Sequence, residues 1–201
     1  MRFQAHGAPQ REAILPGIRI IGGTAKGRRL QMVPGEGTRP ISDRAKESLF
    51  NLLGADIEGG EVLDLFSGTG SVGIEALSRG ARRATFVESD RLAVNTIQAN
   101  LKLAGVLDRG RVLRSDVFIY LHNDPSQGFD YIHVAPPQYH NLWAETLAAL
   151  DARPGWVNPD GVVVAQIDPR EFQPLPLKQL ALVDQRRYGN TLLAFYERPG
   201  E

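Results

Sequence analysis

The chain has 201 residues, 42% of them hydrophobic, enough to bury one core and carry a short appendage, and its 23 Lys/Arg balance 23 Asp/Glu. It contains no cysteine and only four scattered histidines, which excludes disulfides, thiolate nucleophiles and cysteine-held zinc and offers no ligand spacing for a metal. No run approaches the ~18 apolar residues needed to cross a bilayer, and the first ten residues lack the apolar centre of a signal peptide. A cytoplasmic monomer without membrane or metal partners is therefore expected.

The balanced charge hides an asymmetry: residues 1–46 hold nine Lys/Arg against three Asp/Glu, leaving 14 against 20 in the remainder. The basic part contains two strand-like runs, Ile18 to Ile21 and Arg29 to Val33, around a Gly22-Gly23-Thr24-Ala25-Lys26-Gly27 turn region. A basic β-ribbon can follow a phosphate backbone, releasing counterions without reading base sequence. That makes Arg19, Lys26, Arg28, Arg29, Arg39 and Arg44 candidate RNA contacts, with Lys46 in the same basic group; an ordinary solvated hairpin is the plainer alternative. Residues 1–41 are expected to form a flexible N-terminus and this hairpin, and residues 42–201 the main domain.

From Ser42 or Asp43 as N-cap, a helix should bury Ala45, Leu49, Leu52 and Leu53. Then comes Glu61-Val62-Leu63-Asp64-Leu65-Phe66-Ser67-Gly68-Thr69-Gly70, an apolar strand bearing a carboxylate and entering a glycine turn. Glycine lets the backbone approach a ligand closely, and the following helix, about Val72 to Ser78, points its N-terminus at the same place. Gly68 to Gly73 also matches G-x-G-x-x-G, the dinucleotide fingerprint. Asp64, however, would repel a pyrophosphate, and it suits the amino-bearing methionyl end of S-adenosylmethionine (SAM). Asp64-x-Phe66-x-Gly68-x-Gly70 resembles the first motif of class I SAM-dependent methyltransferases.

Strand and helix then alternate: Arg83 to Glu88, Asp90 to Leu103, Arg111 to Arg114, Val117 to His122, Tyr131 to Val134, Leu142 to Leu150 and Gly161 to Ile167. This pattern predicts a parallel, doubly wound α/β sheet. Leu180 to Arg187 and Thr191 to Glu197 flank Gly189-Asn190, and so short a turn makes them antiparallel. A mostly parallel seven-stranded sheet with an antiparallel final strand is the Rossmann-like class I methyltransferase fold. Glu88, 18 residues beyond Gly70, could accept both ribose hydroxyls of an adenosine. Asp116 could receive the adenine amino group, although each carboxylate could equally be a helix cap.

The fourth strand ends in His133-Val134-Ala135-Pro136-Pro137-Gln138-Tyr139, where ligands of such sheets bind. This looks like the (Asp/Asn)-Pro-Pro-(Tyr/Phe) motif of methyltransferases acting on exocyclic amino groups of bases. Such an amine is a poor nucleophile. The site must accept its hydrogens, stack the extruded base on the aromatic ring and align the attack at about 3 Å.

The whole set of motifs resembles the RsmD family of bacterial 16S rRNA guanine-N2 methyltransferases. It comprises Gly22-Gly23 with Lys26-Gly27-Arg28, Thr38-Arg39-Pro40-Ile41-Ser42-Asp43-Arg44, Asp64 to Gly70 with Glu75-Ala76-Leu77-Ser78-Arg79-Gly80-Ala81, and Tyr188-Gly189-Asn190-Thr191. The resemblance implies SAM as cofactor, held by Asp64, Phe66, Gly68, Gly70, Glu88 and Asp116. It implies as substrate one guanine, numbered 966 in the usual bacterial scheme, of 16S rRNA in the 30S subunit, with Ala135, Pro136, Pro137, Gln138 and Tyr139 forming the catalytic segment. The chain departs from the motif at Ala135, where Asp or Asn is expected, and at Gln138, which puts Tyr139 one place late; Ile41 also stands where Thr is more usual. Gln138 or His133 could supply the missing acceptor, but strand alternation weakens the case for His133. An rRNA-binding assembly factor without catalysis, and a nicotinamide-dependent oxidoreductase, are the competing readings.

Overall fold

The computed structural model describes residues 18–35 and 41–199. Helix α1 (Asp43–Leu53) starts where the Ser42 hydroxyl accepts the Ala45 N–H at 3.2 Å. Its buried stripe is Ala45, Lys46, Leu49, Phe50 and Leu53. Leu52, expected inside, is 43% exposed, because it lies about 100° around the helix from the middle of that stripe.

Seven strands follow: β1 (Glu61–Leu65), β2 (Arg83–Glu88), β3 (Gly110–Arg114), β4 (Phe129–Val134), β5 (Val157–Ile167), β6 (Ala181–Tyr188) and β7 (Thr191–Glu197). They form one sheet in the order β3-β2-β1-β4-β5-β7-β6. The first five pair in parallel, while β7 runs antiparallel to both β5 and β6. The predicted architecture is the observed one. β5 begins earlier than the apolar run suggested, since Val157 already pairs with Phe129 before a bulge.

The crossovers are α2 (Ser71–Ser78), α3 (Arg91–Ala104), α4 (Val117–His122) and α5 (Leu142–Ala152). Asp90 caps α3 through the Ala93 N–H, and Gly105 closes it in the left-handed region. Strand alternation splits the core in two. Val62, Phe86, Val164 and Leu193 meet α1, α2 and α3 on one face. Leu65, Val134, Val163 and Ala165 meet α4 and α5 on the other. On that second face Asp151, in α5, accepts the N–H groups of Lys178, Gln179 and Leu180 at 2.7–2.9 Å, fastening the irregular β5–β6 connection.

Among the described residues the N-terminal ribbon has one antiparallel bridge, Arg19 with Arg29, flanked by Ile20 N–H to Arg28 O, Gly27 N–H to Ile20 O and Leu30 N–H to Ile18 O. Further along, Asn100 of α3 takes up both the N–H and the carbonyl of Gln31. Ile18, Ile20, Ala25 and Leu30 point inward. The turn locks onto the C-terminal end of α2, with Thr24 N–H on Ser78 O and Ala25 N–H on Ser78 Oγ. Gly23 has φ +73°, and a Cβ there would lie 1.8 Å from Ser78 O. Lys46, counted with the surface charges above, is instead fully buried against Glu75. Glu75 also accepts the Ile21 and Gly22 N–H groups and an ion pair from Arg79.

Candidate active site

The carboxyl ends of β1, β2, β4 and β5 surround a cavity of about 520 Å³, a size typical of small-molecule sites. After β1 the chain turns sharply: Phe66 has φ +56°, Gly68 +55° and Gly70 +74°. Ser67 Oγ ties the turn to Asp64 O and Val87 O. Gly68 N–H donates to Glu88 Oε2 at 2.9 Å, and the Ser89 and Asp90 N–H groups fix the other oxygen of Glu88. The glycine corner and the β2 carboxylate are thus one hydrogen-bonded unit.

Asp64 is buried, with Oδ2 accepting the Gly73 N–H at 3.1 Å and Oδ1 lying 2.8 Å from His133 Nδ1. The first turn of α2 therefore faces a carboxylate of the protein itself, where a bound pyrophosphate would meet like charge. His133 Nε2 lies 3.2 Å from Gln166 Oε1. The doubt about His133 is corrected: it alternates with Val134, which packs in the second core, and so its ring forms part of the cavity wall.

Asp64, Phe66, Gly68, Glu88, Ala135, Pro136, Pro137, Gln138 and Tyr139 all line this cavity. Gly70 serves as the left-handed N-cap of α2, packed beside Ile97. Asp116 caps α4, its Oδ1 accepting the Phe118 and Ile119 N–H groups. Neither is in the cavity wall.

Tyr139 is the most constrained residue at the mouth. It has φ +66° and is 58% exposed, yet its N–H donates to Glu171 Oε2 and its hydroxyl to Asp168 Oδ2, both at 2.7 Å. The Arg170 guanidinium lies 5.4 Å from the ring centroid and donates to Asp168 and to the Tyr139 hydroxyl. Arg170, through its side-chain and backbone hydrogen bonds, holds the Asp168 carboxyl well below the usual carboxylate range. The hydrogen bond to Asp168 pushes the Tyr139 phenol up. Gln166, Asp168, Arg170 and Glu171 were not singled out from sequence; their position at and just beyond the carboxyl end of β5 was the available signal.

No described Lys or Arg lines this cavity. The hairpin tip meets the far end of α2, about 12 Å from the glycine corner by helix rise. Lys26 and Arg29 are exposed there. Arg19 pairs with Asp43 and Arg28 donates to Leu103 O. Arg44 is exposed close to Ile41, a cavity residue. Arg39 lies outside the described residues. Among the described residues no cluster of His, Asp or Glu has metal-binding geometry, and no helix is long and apolar enough to cross a membrane.

Residues 18–197 match the family model described as conserved hypothetical protein 95. The Bacillus subtilis protein YlbH is 37% identical over 185 residues, covering 91% of this chain and all of the other. Ribosomal RNA small subunit methyltransferase D of Haemophilus influenzae is 35% identical over 182 residues, covering 86% of this chain and 94% of that one. The solved structure of yhhF from Escherichia coli superposes with a TM-score of 0.82 at 31% identity, covering 92% and 99% of the two chains. With the glycine corner, the Glu88 carboxylate and the antiparallel closing strand, these matches place the chain in the RsmD family of class I SAM-dependent methyltransferases.

Proposed function

We propose that the protein methylates the exocyclic N2 of a guanine in small-subunit rRNA, the position numbered 966 in 16S rRNA, as a cytoplasmic monomer acting on the 30S particle. One observation carries this reading: the Ala135–Tyr139 segment and the Asp64–Gly68–Glu88 corner open into the same cavity. SAM supplies an electrophilic methyl group on a sulfonium. The Glu88 carboxylate, already aimed by three backbone N–H groups, accepts the ribose hydroxyls. The Asp64–His133 pair would hold the methionyl portion, and Asp116, beyond the cavity wall, would receive the adenine amino group.

On the acceptor side, the Tyr139 ring stacks on the extruded base and the Pro136 carbonyl accepts one amine hydrogen. Bound SAM would give up its methyl to the amine lone pair, the S–C electrons staying on sulfur, and the surplus N–H proton would pass to water. Lys26, Arg28, Arg29, Arg39 and Arg44 contact phosphates away from the reacting centre, and Arg19 contributes when released from Asp43.

The test is transfer of labelled methyl from SAM to 30S particles lacking the modification, with nucleoside mass analysis. N2-methylguanosine is the expected product, and methyl on a different nucleoside would overturn the base assignment. Ala135 favours a second reading, an rRNA-binding assembly factor, which predicts SAM binding without transfer.

A further inference from the structure

Ala135 removes the side chain that would accept the amine hydrogen, so the acceptor must come from elsewhere in the same wall. Val134 pairs with Ala165 across β4 and β5, so the next residues, Ala135 and Gln166, lie side by side on the opposite face. Both line the cavity. Gln166 is half-buried, and one end of its carboxamide is engaged by His133.

We propose that Gln166 supplies the acceptor that Ala135 lacks, and that the Asp64–His133 pair decides which end of its amide faces the substrate. This rests on the methyltransferase reading above. With Asp64 accepting from Nδ1–H, a neutral imidazole carries its lone pair on Nε2. Only the NH2 end of Gln166 can satisfy that lone pair, and turning it there presents Oε1 to the cavity. A doubly protonated ring reverses this: Nε2–H donates to Oε1, the arrangement with the 3.2 Å contact, and the NH2 end faces the cavity. An amide oxygen accepts the substrate amine's hydrogen, whereas an NH2 group opposes it. His133 is thereby a positioning residue and Gln166 the contact.

A smaller cavity behind His133 is lined by apolar side chains of α1 and α2, including Leu49, Phe50, Val72 and Ala76, and by Tyr131, whose phenol burial pushes up to about 12. Among the described residues the ionisable groups lining the main cavity besides His133 are Asp64, Glu88 and Tyr139. Asp64 alone of these is bonded to the ring.

The experiment is methyl transfer to unmodified 30S particles under saturating SAM for wild type, Gln166→Leu, and Gln166→Leu combined with Ala135→Asp. Gln166→Leu is expected to lower kcat by about 10²–10³-fold, the loss typical of a transition-state hydrogen bond, with SAM affinity unchanged. Ala135→Asp is expected to restore most of that loss, because a carboxylate at 135 accepts the same hydrogen. Rescue of this kind does not follow from a purely structural Gln166. Should Gln166→Leu fail to fold, Gln166→Glu, which has no NH2 end and keeps an acceptor oxygen, is expected to turn over. Full activity of Gln166→Leu, absence of rescue, or a folded Gln166→Glu that does not transfer methyl would each overturn the proposal while an active wild type leaves the function standing. An inactive wild type would overturn both.

Discussion

Lys46 Nζ lies 3.2 Å from Glu75 Oε2, with neither side chain exposed to solvent. The pair joins three segments, because Lys46 also donates to Arg19 O and Glu75 accepts from Ile21 and Gly22. Without Lys46, Glu75 keeps Arg79 and two backbone N–H groups, whereas without Glu75 the buried Lys46 ammonium has no other ion-pair partner among the described residues. Glu75→Leu is expected to cost about 3–5 kcal/mol in urea unfolding, more than Lys46→Met, and the double change is expected to cost less than Glu75→Leu alone.

Two glycines in the hairpin should respond differently to alanine. At Gly23 a Cβ would collide with the Ser78 carbonyl, whereas at Gly27, φ +86°, nothing lies within 4 Å. Gly27→Ala bears only the left-handed strain of about 1–2 kcal/mol. Gly23→Ala adds the steric cost of lifting the turn from α2, about 1–3 kcal/mol more. Thermal unfolding of the two variants checks the order, and equal losses would contradict the docking described here.

Glu88 should matter to SAM affinity more than to folding. Hydrogen bonds to a charged acceptor are worth about 1.5–3 kcal/mol each, so losing even one of the two in Glu88→Ala is expected to weaken SAM binding by about 10-fold or more in calorimetric titration. Asp116→Ala should in addition cost about 1 kcal/mol of stability for a lost helix cap.

The Tyr139 clamp should be insensitive to pH over a wide range. Asp168 ionises below its ordinary 3.8, so its stabilisation is complete above that value and fades only as pH falls through the lowered one. Tyr139 ionises above its ordinary 10.0, so its share is complete below 10 and is lost as pH climbs through the raised one. The stability difference between wild type and Tyr139→Phe should therefore stay flat from pH 5 to 9. A change within that window would show that another group controls the clamp.

Sequence made the sheet legible because β1, β2, β4 and β5 carry apolar runs between helical patterns, with the shorter Val112-Leu113 pair marking β3, and the two-residue Gly189-Asn190 turn dictates the antiparallel end. The glycine corner and Glu88 were legible from spacing along one βαβ unit. Gln166 and Asp168 were not, since what connects them to His133 and Tyr139 is strand adjacency between β4 and β5, which leaves no local periodicity. Lys46 misled because a basic residue among basic neighbours reads as surface, and only the distant Glu75 explains its burial.

The Asp151 carboxylate has a kinetic signature. The β5–β6 connection is exposed and proline-rich, the kind of segment in which amide protons usually exchange with solvent within seconds or less. Because Asp151 holds the amides of Lys178, Gln179 and Leu180, those three should exchange slowly. They would appear in a deuteration map as an island of protection on the surface, and the island should vanish in Asp151→Ala.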